Sequence, residues 1–225
     1  MCVEGRLTSA MTLVKKNTHC NACKAFRIFR DAFVFLEEVR FTNIYECAVL
    51  YQTLLNKKYI FTLEDNITFT LEFKKDNFHH LLGLHKLTDQ QVLLIEKPQN
   101  TPAKIYDRIL NQEITVKTIE TSTHYHKIEN RIKYFEKIFD TLDKSKCKII
   151  IDFDPSKIEN CSLRNTKYIL YVRMPEGYFL FTLGDARNKK IYPETMFFEP
   201  SNMYNNQQRL LDVIDINIIE KKAKK

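Results

Sequence analysis

Hydrophobic positions change period along this chain, and the changes divide it into elements. From Asn21 to Phe41 (NACKAFRIFRDAFVFLEEVRF), Phe26, Phe29, Phe33, Leu36 and Phe41 recur near helical spacing between charged residues, which predicts an amphipathic helix. A second helix is expected from Ile44 to Leu55, where Ala48, Tyr51, Leu54 and Leu55 share a face and Asn56 with two lysines supplies a stop. Alternation then takes over. Tyr59–Leu63 and Ile67–Phe73, separated by Glu64-Asp65-Asn66, read as a β-hairpin.

Three further helices follow from pattern and caps. Asp76 or Asn77 can cap Phe78–Leu87, and Thr101-Pro102 opens Ala103–Gln112 with proline at the first helical position. Ile128, Ile132, Phe135, Phe139 and Leu142 repeat at alternating steps of four and three, which predicts a long helix from Ser122 to Leu142. Beyond it Cys147–Phe153, Thr166–Arg173, Tyr178–Leu183, Ile191–Phe198 and Leu211–Ile219 read as strands, with Pro175-Glu176-Gly177 and Gly184-Asp185 as turns. This order predicts an α+β protein in which N-terminal helices pack on an antiparallel β-sheet. The expected division is a helical extension over residues 1–40, an α+β domain over 41–220 and a basic tail over 221–225.

Composition narrows the function. Four glycines (Gly5, Gly83, Gly177, Gly184) in 225 residues leave no glycine-rich loop to close around a phosphate, which excludes P-loop, Rossmann and kinase chemistry. No apolar run approaches the roughly 18 residues of a membrane span, and MCVEGRLTSAM lacks the apolar core of a secretion signal, so a cytoplasmic protein without membrane contact is expected. Six scattered cysteines read as free thiols in a reducing compartment. Net charge is +7, of which the tail EKKAKK carries +3; the modest remainder favours a polyanionic partner such as RNA or DNA.

The sharpest chemical feature is Asn77–Asp89, NFHHLLGLHKLTD. Wound as a helix, it places Phe78, Leu81, Leu82 and Leu84 on an apolar side, His79, Gly83 and Lys86 on a polar stripe, and His80 at the border. A border imidazole is partly desolvated, which favours the neutral form that a general base needs. Glycine inside a helix costs about 0.5–1 kcal/mol, so Gly83 implies a close approach of backbone or ligand. The bland alternative makes the histidines surface residues and Gly83 a packing relief. On the long helix, His124, Lys127, Arg131 and Tyr134 form a basic and aromatic stripe suited to phosphate binding and base stacking, or simply to solvation.

His19-Cys20-Asn21-Ala22-Cys23 lacks a second ligand pair for zinc, and Asp152 with Asp154 reads as a solvent-facing strand end rather than a metal site. The polar segment Glu199–Arg209, with Tyr204 and Gln208, suits hydrogen bonding to bases or phosphates and equally an ordinary loop.

From Tyr45 to Ile218 the chain resembles a phage-borne branch of the barnase, EndoU, colicin and RelE-like nucleases. The resemblance rests on Glu46-Cys47-Ala48, Lys58-Tyr59-Ile60-Phe61, the string Phe78–Leu87 (FHHLLGLHKL), and Ser122 with Tyr125 and Asn130-Arg131-Ile132. It implies a barnase/EndoU/colicin/RelE-like nuclease fold of helices and antiparallel sheet, and RNA as substrate. In its F-x-H-L-x-G pattern the matching histidine is His80. The expected function is therefore metal-independent RNA cleavage by attack of the 2′-oxygen, needing no cofactor, with His80 as general base or acid and Lys86 and Arg131 steadying the phosphate. Ser122, Tyr125 and Lys127 are expected substrate contacts, with Arg173, Tyr204 and Gln208 added from the sheet and its loops. The rival reading is a non-catalytic protein of a mobile element that binds nucleic acid or a host protein, and an inhibitor or host protein joins RNA among the expected partners.

Overall fold

The computed structural model describes residues 43–95, 100–185 and 191–221. The helix expected over Asn21–Phe41, the extension 1–40, the His19/Cys20/Cys23 motif and the last four residues of the tail lie outside them. Among the described residues no helix is long and apolar enough to cross a membrane.

Chain order begins with α1 (Ile44–Gln52), β1 (Lys57–Leu63), β2 (Thr68–Glu72), α2 (Lys75–Leu81) and α3 (Pro102–Leu110). Three short helices follow, α4 (Val116–Glu120), α5 (Glu129–Lys133) and α6 (Lys137–Asp140). The remaining strands are β3 (Lys148–Ile151), β4 (Thr166–Met174), β5 (Gly177–Asp185), β6 (Ile191–Glu199) and β7 (Arg209–Glu220). Local signals explain the helix starts: Asn43 accepts the Glu46 amide at the head of α1, and Thr101 accepts the Lys104 amide ahead of Pro102 in α3.

The strands correct the predicted architecture. In place of helices packed on an open antiparallel sheet, the seven strands close into a mixed barrel in the order β1-β2-β6-β5-β4-β3-β7. Two long-range pairings make the closure. The first part of β7, Arg209–Asp212, pairs antiparallel with β3, and its continuation from Val213 to Glu220 pairs with β1, so the early hairpin is sewn to the late strands. On the other side β2 meets β6 in parallel through Leu71 and Ile191. Alternation along one strand reports its two faces but not its distant partners, so closure is invisible to periodicity.

A second correction concerns the long helix from Ser122 to Leu142. It is broken into a 3-10 turn at Tyr125–Lys127 and the short helices α5 and α6, with Ile128 (φ −123°) and Tyr134 (φ −102°) out of helical geometry at the breaks. Of the predicted stripe Ile128, Ile132 and Phe135 are nevertheless buried, and Phe139 and Leu142 are half-buried against the same core, because successive short turns can present residues at nearly the spacing of one helix.

The barrel interior is filled from every strand. Phe61 stacks on Phe69 and Phe69 on Tyr168, each pair at 4.8 Å between centroids, while Phe73 stacks on Phe181 at 6.0 Å. The same cluster continues into the helices through Tyr51, Phe78, Tyr106 and Phe135, whose rings meet at 5.0–6.3 Å. Alternate residues of β3, β4 and β5 (Ile150, Ile169, Tyr171, Leu180) face the other way. They pack in a smaller cluster with Phe153, Ile158 and Leu163. Burial on both faces is why these strands read as continuous apolar runs.

Candidate active site

The predicted helix Phe78–Leu87 ends early. Helix α2 stops at Leu81, and Gly83 takes the left-handed conformation (φ 71°, ψ 29°) before a 3-10 turn at Leu84–Lys86. The Leu82 amide donates to Phe78 O and the Gly83 amide to His80 O, which closes the helix as a glycine C-cap does. Gly83 is thus a terminator and not a glycine within a helix. A Cβ there would lie 3.4 Å from Arg131 Cδ and Nε, so a close approach to this residue is present as well.

That break assembles the site. On an unbroken helix His80 and His85, five residues apart, would project about 140° from one another. The reversal at Gly83 instead brings their ring centroids to 5.3 Å, with His79 5.8 Å from His80 and 6.1 Å from His85. His79 is fully buried, whereas His80 and His85 are exposed. His79 Nε2 lies 3.4 Å from Leu93 O, and its buried Nδ1 has no hydrogen-bond partner among the described residues.

Burial holds the His79 ring down to a pKa of about 4, partly countered by the Leu93 carbonyl and reinforced by His80 and His85. His85 is lowered to about 4 as well, by desolvation of its ring and then by the charges of His80, Lys86 and Arg131. Lys86 is lowered by burial, Arg131 and Lys127. Lys86 and Arg131 thus lie close enough to His85, and Arg131 and Lys127 to Lys86, to disfavour further positive charge there.

Arg131 stands at its base. It reaches from α5 across to α2 and β6, where its Nη1 donates to Leu81 O at 2.9 Å, His80 O at 3.4 Å and Thr195 Oγ1 at 2.7 Å. A guanidinium on the last carbonyls of a helix satisfies orphan acceptors and meets the negative end of its dipole. Burial lowers the Arg131 pKa to about 10, which leaves it charged at neutral pH. Thr195 continues the network into the barrel, its amide donating to Thr182 Oγ1. Neither threonine is marked by any sequence motif; strand register alone places them.

Other predicted contacts are engaged elsewhere. Ser122 is buried and donates to Asp89 Oδ1 at 2.5 Å, while the Thr123 amide and hydroxyl bind Asp89 Oδ2. With no long helix beginning there, Ser122 and Tyr125 do not flank exposed helix-start amides, and Tyr125 is half-buried against the main core. The expected stripe from His124 to Tyr134 is likewise dispersed over separate turns. Tyr134 stacks on Phe198 at 4.9 Å, lies under Lys133 Nζ and donates to Glu176.

Gln208 clips the backbone of Asp154 through two hydrogen bonds, and Tyr204 packs on Phe153 and Phe197 in the smaller cluster. Arg173 is exposed on β4 opposite Tyr178. None of the hydrogen bonds or ring contacts made by Tyr204 or Gln208 reaches the histidines. Asp154 caps its own turn by accepting from Ser156.

His79 ties stability to pH. Its proton affinity is ordinary in the unfolded chain and depressed in the folded one, so protons favour unfolding as pH falls from about 6.5 to about 4. Above that window the penalty is absent. The expected loss is on the order of 3 kcal/mol at its lower end, read as a falling Tm across pH 6.5–4 that is blunted in His79→Phe.

The site thus brings two exposed imidazoles together with a lysine and a half-buried arginine. Residues 43–225 match the family described as phage-Barnase-EndoU-ColicinE5/D-RelE like nuclease 4, and the chain belongs to this family of phage-type nucleases. No curated protein and no solved structure matches it.

Proposed function

We propose that this protein is an endoribonuclease that cleaves by intramolecular attack of the ribose 2′-oxygen. The observation that carries the reading is the convergence of His80, His85, Lys86 and Arg131 at the Gly83 turn within the matched family segment. His80 accepts the 2′-hydroxyl proton; the 2′-oxygen bonds to phosphorus, and the bond to the 5′-oxygen breaks. Lys86 and Lys127 supply positive charge to the phosphate oxygens as negative charge grows there. The lowered pKa of Lys86 also makes it a better proton donor to the departing 5′-oxygen than an ordinary lysine. Arg131 fixes the turn that carries the histidines.

Incubation of the purified protein with tRNA and single-stranded RNA in excess EDTA tests this. Fragments ending in a 2′,3′-cyclic phosphate are the expected product. A retarded band without fragments would instead favour the binding-only reading, and cleavage that requires added Mg²⁺ would overturn the proposed chemistry.

A further inference from the structure

The three histidines carry a second implication that the cleavage chemistry does not use. One nitrogen from each of His79, His80 and His85 lies within 4.8 Å of the others, and this is the one such group of metal-binding side chains among the described residues. His79 is the informative member. The Leu93 carbonyl can only accept a hydrogen bond, so Nε2 carries the proton, and the lone pair falls on Nδ1, which is buried and unpartnered. Tying the N–H of an imidazole to a backbone carbonyl, which leaves the lone pair on its other nitrogen, is how proteins orient metal-binding histidines.

We propose that His79, His80 and His85 bind a single Zn²⁺-class ion, with water in the fourth position. Three neutral imidazoles and no carboxylate select borderline ions such as Zn²⁺ over Mg²⁺ or Ca²⁺, which require oxygen ligands. Nitrogens bound tetrahedrally at about 2.0–2.1 Å sit roughly 3.3 Å apart, so the rings must draw together around the ion. His79 is fixed by its packing, while the exposed side chains of His80 and His85 supply that adjustment. An ion held there occupies the His80 lone pair, so it switches cleavage off. This last consequence rests on the reading of His80 as general base; the binding itself does not.

The test is titration of EDTA-stripped, buffer-exchanged full-length protein with Zn²⁺ against a chromogenic chelator, repeated with Co²⁺ for its tetrahedral visible bands. One ion per chain is expected, with affinity weakened at least about tenfold in both His80→Ala and His85→Ala while their circular dichroism is unchanged. Absence of stoichiometric binding, or binding indifferent to both substitutions, overturns the site. RNA cleavage is then followed with and without one equivalent of Zn²⁺. Inhibition supports the switch, and acceleration overturns it. If no cleavage occurs under any condition, the nuclease reading and the switch fall together, while the titration still decides the site.

Discussion

Replacing His80 by alanine is expected to reduce RNA cleavage by roughly 10²–10⁴-fold, the usual contribution of a positioned general acid or base, with little change in Tm. The small stability effect follows from exposure: the His80 ring meets the rings of His79 and His85, while the hydrogen bonds that tie the residue into the fold are made by its backbone carbonyl, which accepts from Gly83 and Arg131. Substitutions at such surface sites usually move stability by about 0.5 kcal/mol or less. Matched circular dichroism and Tm with lost cleavage supports the assignment. Retained cleavage in the folded variant removes His80 from the chemistry.

Arg131 is expected to behave in the opposite way, with a large stability effect and an activity effect that charge alone does not rescue. Arg131→Met leaves Leu81 O and Thr195 Oγ1 without their charged donor, and hydrogen bonds to charged groups are worth about 1.5–3 kcal/mol each. A loss on the order of 2–4 kcal/mol corresponds to a Tm decrease of roughly 5–15 °C for a chain of this size. Arg131→Lys separates two roles. A lysine keeps the charge, but its ammonium ends about one bond short of the position from which Arg131 Nη1 serves both acceptors. If positioning of the histidine turn is what matters, Arg131→Lys loses kcat nearly as fully as Arg131→Met at a temperature where both are folded, with KM little changed. Near-native kcat in Arg131→Lys would show that charge on the phosphate is the dominant contribution.

Local rules made much of this molecule readable. Thr101-Pro102, Glu64-Asp65-Asn66, the alternating runs of β1 and β2 and the β-branched and aromatic runs of β4–β7 place helix starts, turns and strands close to where they occur, because caps, turn residues and strand-favouring side chains act over a few residues. The histidine segment was also visible as an unusual string. Its geometry was not, because Gly83 fits a helix interior or a left-handed terminus equally well by composition, and only the terminus folds His85 back to His80. The apolar steps from Ile128 to Leu142 were ambiguous for a related reason: burial specifies which residues face inward, not whether one helix or three turns presents them. Ser122 and Gln208 looked free because their partners, Asp89 and Asp154, lie 33 and 54 residues away. Long-range pairing likewise hid the role of β7.

Among the described residues the parallel seam between β2 and β6 is one pair, Leu71 and Ile191, whereas β7 pairs with β1 through seven. Helix α2 packs on β6, and Arg131 fastens the end of that helix to Thr195 in the same strand. The imidazoles are therefore anchored to β6, the strand that meets β2 at this junction. Their mutual spacing and the integrity of that junction form one mechanical unit, and a partner gripping β6 would alter the reactive turn without touching a histidine.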